Sequence, residues 1–156
     1  MATLSGRIVN LISRRAPGMT KKMTERHVEQ YRSSKGQKGR ELRGKEVFLL
    51  DVVGRKSGES RPVMLMLARR DDDLIVVGSN GGNPETPNWY KNLMAAAGGH
   101  VEVMGERWAV DAREVEGDEK DQCWQIAAAA YPDFDSYQEL TERAIPVAVL
   151  TRRGEG

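Results

Sequence analysis

An α+β fold, mainly β with helices and built on a six-stranded antiparallel barrel, follows from three features of this sequence. Six apolar or alternating runs read as strands: Val47–Val53, Val63–Ala68, Leu74–Gly78, His100–Met104, Arg107–Val115 and Ile145–Leu150. Most are joined by gaps of hairpin length that hold Gly or Asp. Helical periodicity appears at the front, after the third strand and between the fifth and sixth, so helices cross over a small barrel.

The chain of 156 residues suits one domain with a real core. No apolar run approaches the ~20 residues that span a bilayer, and the first residues lack the apolar stretch and cleavage site of a secretory signal. The single cysteine, Cys123, excludes an internal disulfide and fits a reducing cytoplasm. His27 and His100 have no cysteine or acidic residue at metal spacing, so no metal site is expected. The net charge of +1 hides an asymmetry: residues 1–45 hold 12 Lys/Arg against 3 Asp/Glu, and the rest hold 12 against 20.

Taken in order, Leu4, Ile8, Leu11 and Ile12 recur at helical spacing, and Met19, Met23, His27 and Tyr31 recur at steps of four. Residues 1–43 therefore read as a basic helical segment and residues 44–156 as the barrel domain. A basic amphipathic front attaches to an anionic membrane surface or packs on the domain with its charges solvated; residues 1–35 leave both open. Leu74-Ile75-Val76-Val77 is continuously apolar, as a strand buried on both faces would be. Thr86 and Pro87 mark a helix start, and Gly98-Gly99 its end. A helix over 118–130 turns Cys123, Ile126, Ala127 and Ala130 to the core, and Tyr131-Pro132 stops it.

The chemistry concentrates in Gly54-Arg55-Lys56-Ser57-Gly58-Glu59-Ser60-Arg61, between the first two strands. Arg offers a planar fork of donors, Lys a point charge, and Gly a backbone that a ligand can approach closely. Such a loop suits phosphate or carboxylate; a solvated basic hairpin tip is the other reading. A second bend, Ser79-Asn80-Gly81-Gly82, runs from a strand to a helix N-terminus and is also suited to anions. No carboxylate pair, Ser-His-Asp set or activated cysteine competes for a catalytic role.

Gly54-Arg55-Lys56-Ser57-Gly58, Arg61, Ser79-x-Gly81-Gly82, Pro87-x-Trp89-Tyr90-x-Asn92-Leu93, Tyr131-Pro132, Tyr137 and Arg143-x-Ile145-Pro146 occur in one order over residues 44–151. In this set the chain resembles the deazaflavin-dependent nitroreductase family of actinobacteria. The resemblance implies a split β-barrel related to FMN-binding flavin reductases, with reduced coenzyme F420 as hydride donor. It implies that Arg55, Lys56, Ser57, Gly58 and Arg61 hold the phosphate and carboxylate tail. Val63, Met64 and Leu65 would floor the ring, Ser79, Asn80 and Gly81 would run along it, and Trp89 would wall it. Tyr131, Phe134 and Tyr137 would cover the acceptor, with Tyr131 or Tyr137 giving the proton.

The same resemblance implies a planar electron-poor acceptor: a quinone, an activated enone or a nitroaromatic. Asn80 stands where members often carry Lys, and Phe134 where some nitroimidazole-reducing members carry Tyr. FMN is the alternative cofactor, and a polyanion-binding module without catalysis the weaker alternative. Nucleic acid is not expected as a partner, because the cations lack interleaved aromatics. The expected state is a monomer or weak homodimer in the cytoplasm or at the inner face of the membrane.

Overall fold

A computed structural model describes residues 17–154. The helix expected over Leu4–Ile12 lies outside the described residues. The described elements are α1 (Pro17–Ser33), β1 (Glu41–Leu42), β2 (Lys45–Val53), β3 (Ser60–Met66), β4 (Arg69–Arg70), β5 (Asp73–Val77), a 3-10 turn (Asn80–Gly82), α2 (Asn88–Ala96), β6 (Gly98–Val103), β7 (Glu106–Glu114), α3 (Gly117–Ala130), α4 (Asp133–Glu139) and β8 (Val147–Arg152). The architecture is α+β: a curled antiparallel half-barrel with four α-helices among the described residues.

The sheet runs β1-β2-β6-β7-β8-β5-β4, and β3 pairs with β2. The expected count of six is corrected to eight among the described residues. The two additional strands, β1 and β4, are two residues each and too short to leave a periodicity. Three further expectations shift. Helix α2 starts at Asn88 with Pro87, not Thr86, at its cap. It ends on Ala97 in the left-handed conformation (φ 54°), so Gly98 is free to open β6. A Cβ on Gly98 would lie 2.3 Å from the Val110 carbonyl oxygen, which explains the glycine there. The last strand begins at Val147, two residues after its expected start.

Period-two alternation sorts the strands into two apolar layers. Phe48, Leu50, Val52, Leu74, Val76, Ala148 and Leu150 point into the barrel with Leu93 of α2. Ile75, Val77, Val147 and Val149 point out, beneath Cys123, Ala127, Phe134 and Tyr137 of α3 and α4. Both faces of β5 and β8 are thereby covered, which accounts for their unbroken apolar runs. On the far side Leu49 points out to Val28 and Tyr31 of α1.

The sheet closes at one end and opens at the other. Near Leu67-Ala68 the chain passes from one side to the other: Leu67 N–H donates to Glu46 O and Ile75 N–H to Ala68 O, each at 2.9 Å. Beyond that corner β3 is bonded, among the described residues, to β2 alone, so β3 and β5 part. The site lies in the parting.

Helix α1 is tied across the sheet by charge. Arg32 reaches Asp51 at 3.0 Å and Glu102 at 3.0 Å, and Arg107 reaches the same carboxylates at 3.2 and 2.6 Å. Burial pushes the Asp51 carboxyl up, but hydrogen bonds from Ser60, Arg107 and Arg32 outweigh it and hold the group below the usual carboxylate range. A carboxyl depressed in the folded state stabilises the protein above its unfolded pKa and loses that contribution as pH falls through the folded value. Asp51→Asn is therefore expected to lower the melting temperature at neutral pH, with the gap to wild type closing on acidification. A gap constant across the acid range would place the Asp51 contribution in packing.

Candidate functional site

Two adjoining hollows occupy the parting. The first is a cavity of about 530 Å³ lined by Val63–Met66 of β3, Val76 and Val77 of β5, Ser79–Gly81, Trp89, Tyr131, Phe134 and Tyr137. The second is a groove of about 440 Å³ lined by Gly54–Ser57, Arg61–Val63, Asn88, Trp89 and Asn92. Val63 and Trp89 belong to both, so the basic bend and the serine–glycine bend flank one continuous space. Among the described residues no acidic side chain lines either hollow.

The basic bend is built by β2 and β3, whose register closes at Val53 opposite Ser60. Gly54 N–H donates to Glu59 O, and Gly58 N–H to Gly54 O, each at 2.8 Å. Gly58 sits at φ 73° and supplies the reversal. It shapes the bend but does not line the groove. A Cβ at Gly54 would lie 2.6 Å from Ser57 Oγ, so a larger residue there would require the Ser57 side chain to turn away. Arg55 is oriented from α2: its backbone N–H and its Nη1 donate to Asn92 Oδ1 at 3.1 and 2.8 Å. Asn92 is buried, so this anchor is fixed. Arg55 is held by neutral amides and Lys56 has no acidic partner among the described residues, so both charges remain to be offset by a ligand. Arg61 meets Ser57 Oγ at 3.4 Å and Glu59 at 3.4 Å in solvent, a pair of little energetic weight.

The second bend is clasped from behind by Arg143. Its Nε donates to Asn83 O at 3.0 Å, and its Nη2 reaches Ser79 O, Gly78 O and Glu85 O at 3.0, 3.1 and 3.3 Å. Its Nη1 is buried without an acceptor among the described residues, and burial pulls the guanidinium pKa down. Gly82, at φ 81°, would place a Cβ 2.8 Å from Tyr137 O, so glycine lets the bend press on α4. Ser79 is buried against the cavity and its hydroxyl caps nothing. The Asn80 side chain donates to Glu85 O at 2.9 Å and so braces the bend.

Three buried rings close the cavity. Phe134 meets Tyr131 edge to face, centroids 5.0 Å apart, and Tyr137 at 6.4 Å. The hydroxyls of Tyr131 and Tyr137 are 2.9 Å apart. Burial, with the bond to Tyr137, pushes the Tyr131 phenol up, so it stays protonated.

Every residue expected in the site except Gly58 lines one hollow or the other. Among the residues not foreseen, five of the cavity come from the front of the chain: Met23, Thr24 and His27 of α1, then Leu42 and Arg43. His27 Nε2 lies 2.6 Å from Gly39 O, which pins the connection after α1. Arg43 and Gly44 are the two turn residues between β1 and β2, at φ 55° and 75°. The left-handed conformation costs a residue with a Cβ ~1–3 kcal/mol. Here it sets Arg43 Nη1 2.9 Å from Tyr131 Oη and 3.6 Å from Asp133. Arg43 looked like one of many cations in a basic segment; only its unusual place before Gly44 marked it.

The family model described as F420H(2)-dependent quinone reductase matches residues 23–152. An F420H(2)-dependent quinone reductase of Mycobacterium tuberculosis (strain H37Rv) is 36% identical over 127 residues, covering 79% of this chain and 85% of that one. A solved F420-H2 dependent reductase, FDR-A, is 36% identical with a TM-score of 0.64 over 67% of this chain and 93% of that one. A solved domain-swapped dimer is 32% identical with a TM-score of 0.67, covering 85% and 97%.

Arg143→Met removes a side chain that binds four carbonyls in and around the second bend. Bonds to a charged donor contribute ~1.5–3 kcal/mol. Amide hydrogen exchange at Gly82 and Asn83 is expected to accelerate at least about tenfold. Unchanged protection would show that the bend is held by its own turn bonds, Gly82 N–H to Ser79 O and Asn83 N–H to Asn80 O.

Proposed function

Because the chain belongs to the F420H(2)-dependent quinone reductase family, we propose that it reduces a planar electron-poor acceptor, a quinone foremost, with reduced coenzyme F420 held across the groove and the cavity. One observation carries this reading: an acid-free groove with two unneutralised cations opens, past Val63 and Trp89, into an apolar cavity large enough for flat rings. A cofactor with an apolar head and a polyanionic tail matches that polarity end to end. The FMN alternative draws no support from the family or the relatives above.

When bound, the reduced deazaflavin supplies the hydride. The chain's own residues do the rest. Arg55, Lys56, Ser57 and Arg61 take the anionic tail, with Arg55 already oriented by Asn92. Val63, Met64 and Leu65 present an apolar floor, Trp89 a wall, and Ser79, Asn80 and Gly81 a polar margin. Tyr131, Phe134 and Tyr137 exclude water above the acceptor. Tyr131 and Tyr137 are the groups able to donate a proton to a reduced oxygen.

The finer assignments belong to the same reading. The half-barrel is a split barrel of the flavin-reductase kind. Residues 44–156 form the binding domain, and residues 1–43 complete its wall through Met23 and Leu42. Both of these side chains are exposed at the cavity. The exposure of Met23 supports peripheral membrane contact through residues 1–35; among the described residues no helix is long and apolar enough to cross a membrane. The domain-swapped neighbour supports a homodimer.

Lys56→Ala is expected to weaken coenzyme F420 binding about tenfold, near 1.4 kcal/mol, with the melting temperature of the unliganded protein unchanged. Calorimetric titration with the cofactor, followed by an acceptor panel of quinones, enones and nitroaromatics, tests the reading. Wild-type protein that binds no deazaflavin would end it.

A further inference from the structure

Arg43 stands apart from the residues whose type and position announce a cofactor site. It occupies a left-handed turn position that favours Gly or Asn, and its guanidinium donates to Tyr131 Oη at 2.9 Å. Asp133 steadies the guanidinium at 3.6 Å. The charged and titratable groups facing Tyr131 are thus Arg43, Asp133 and Tyr137. Arg donates and never accepts. Two phenols own two hydroxyl hydrogens; one lies between them, and one is left for the cavity. Either phenol can be the donor between them; with Arg43 donating to Tyr131, the order Arg43 to Tyr131 to Tyr137 is the head-to-tail one, in which successive hydrogen bonds reinforce one another.

We propose that Arg43 is a positioning residue that directs the Tyr131–Tyr137 hydroxyl pair, so that the Tyr137 hydrogen is presented to a quinone oxygen in the cavity. The inference rests on the reductase reading above. A quinone becomes a quinol by taking one hydride, which brings both electrons, and one proton. The Tyr137 O–H bond breaks as the quinol O–H bond forms. The charge left on the phenol pair is faced by the Arg43 guanidinium until water returns a proton. A positive charge beside the pair favours this transfer, and general-acid assistance of this kind contributes ~10²–10⁴ in rate.

The test uses the full chain with Arg43→Met, Arg43→Lys and Tyr137→Phe, and menadione as the quinone probe. Without cofactor, the infrared carbonyl stretch of bound menadione reports the hydrogen bond to its oxygen. Wild type is expected to shift the band down, Arg43→Lys to keep most of the shift, and Arg43→Met and Tyr137→Phe to lose it. With cofactor, Arg43→Met is expected to lower kcat about tenfold with KM little changed, and to raise the solvent deuterium isotope effect; Arg43→Lys restores both. An Arg43→Met protein that melts like wild type and keeps the carbonyl shift, kcat and isotope effect would overturn the inference. Should Arg43→Met fail to fold, a Tyr137→Phe protein that keeps the band shift overturns it equally. Failure of wild type to bind or reduce any quinone would instead sink the reductase reading, which separates the two failures.

Discussion

The parting of β3 from β5 is the constraint on which the rest of the molecule depends. Strand β2 spends both edges on neighbours, β3 on one and β6 on the other. Strand β3 has a bonded neighbour on one edge only among the described residues. An unpaired strand edge in water invites association and is normally covered. Here the chain lays α1, the serine–glycine bend and the Tyr131–Tyr137 helix region around it, and the space left over is the cavity. The site is thus a consequence of incomplete closure.

Charge is distributed to suit that space. Arg55 of the basic bend is held by amides, which orient without neutralising, while Arg61 shares only an exposed pair with Glu59. Elsewhere several arginines share carboxylates: Arg32 and Arg107 with Asp51 and Glu102, Arg70 and Arg113 with Glu119. The contrast separates two uses of one residue type. Paired arginines fasten elements to one another, while those in the groove keep their attraction for a ligand. Arg143 is a third case, spending its donors on backbone carbonyls to set the shape of a bend.

Much of this was legible in the residues. The continuous apolar run at 74–77 announced a strand covered on both faces. Arg55, Lys56 and the glycines beside them announced an anion site because their chemistry is local to one bend. What escaped were features with no local signature. Strands β1 and β4 are single rungs. Asn92 stood in the family pattern without an assigned role until α2 brought it to Arg55. Gly98 read as a helix stop, although Ala97 provides the stop and Gly98 admits the Val110 carbonyl.

The sequence by itself determined the α+β class, the basic and serine–glycine bends, and the aromatic trio, because each depends on residue type within a few positions. Only the tertiary structure decided that the two bends share one space, that α1 and Leu42 help wall it, and that Arg43 meets Tyr131. Arg43 and Tyr131 are 88 positions apart. Contacts across such separations are set by how a curled sheet closes, and no spacing along the chain encodes them directly.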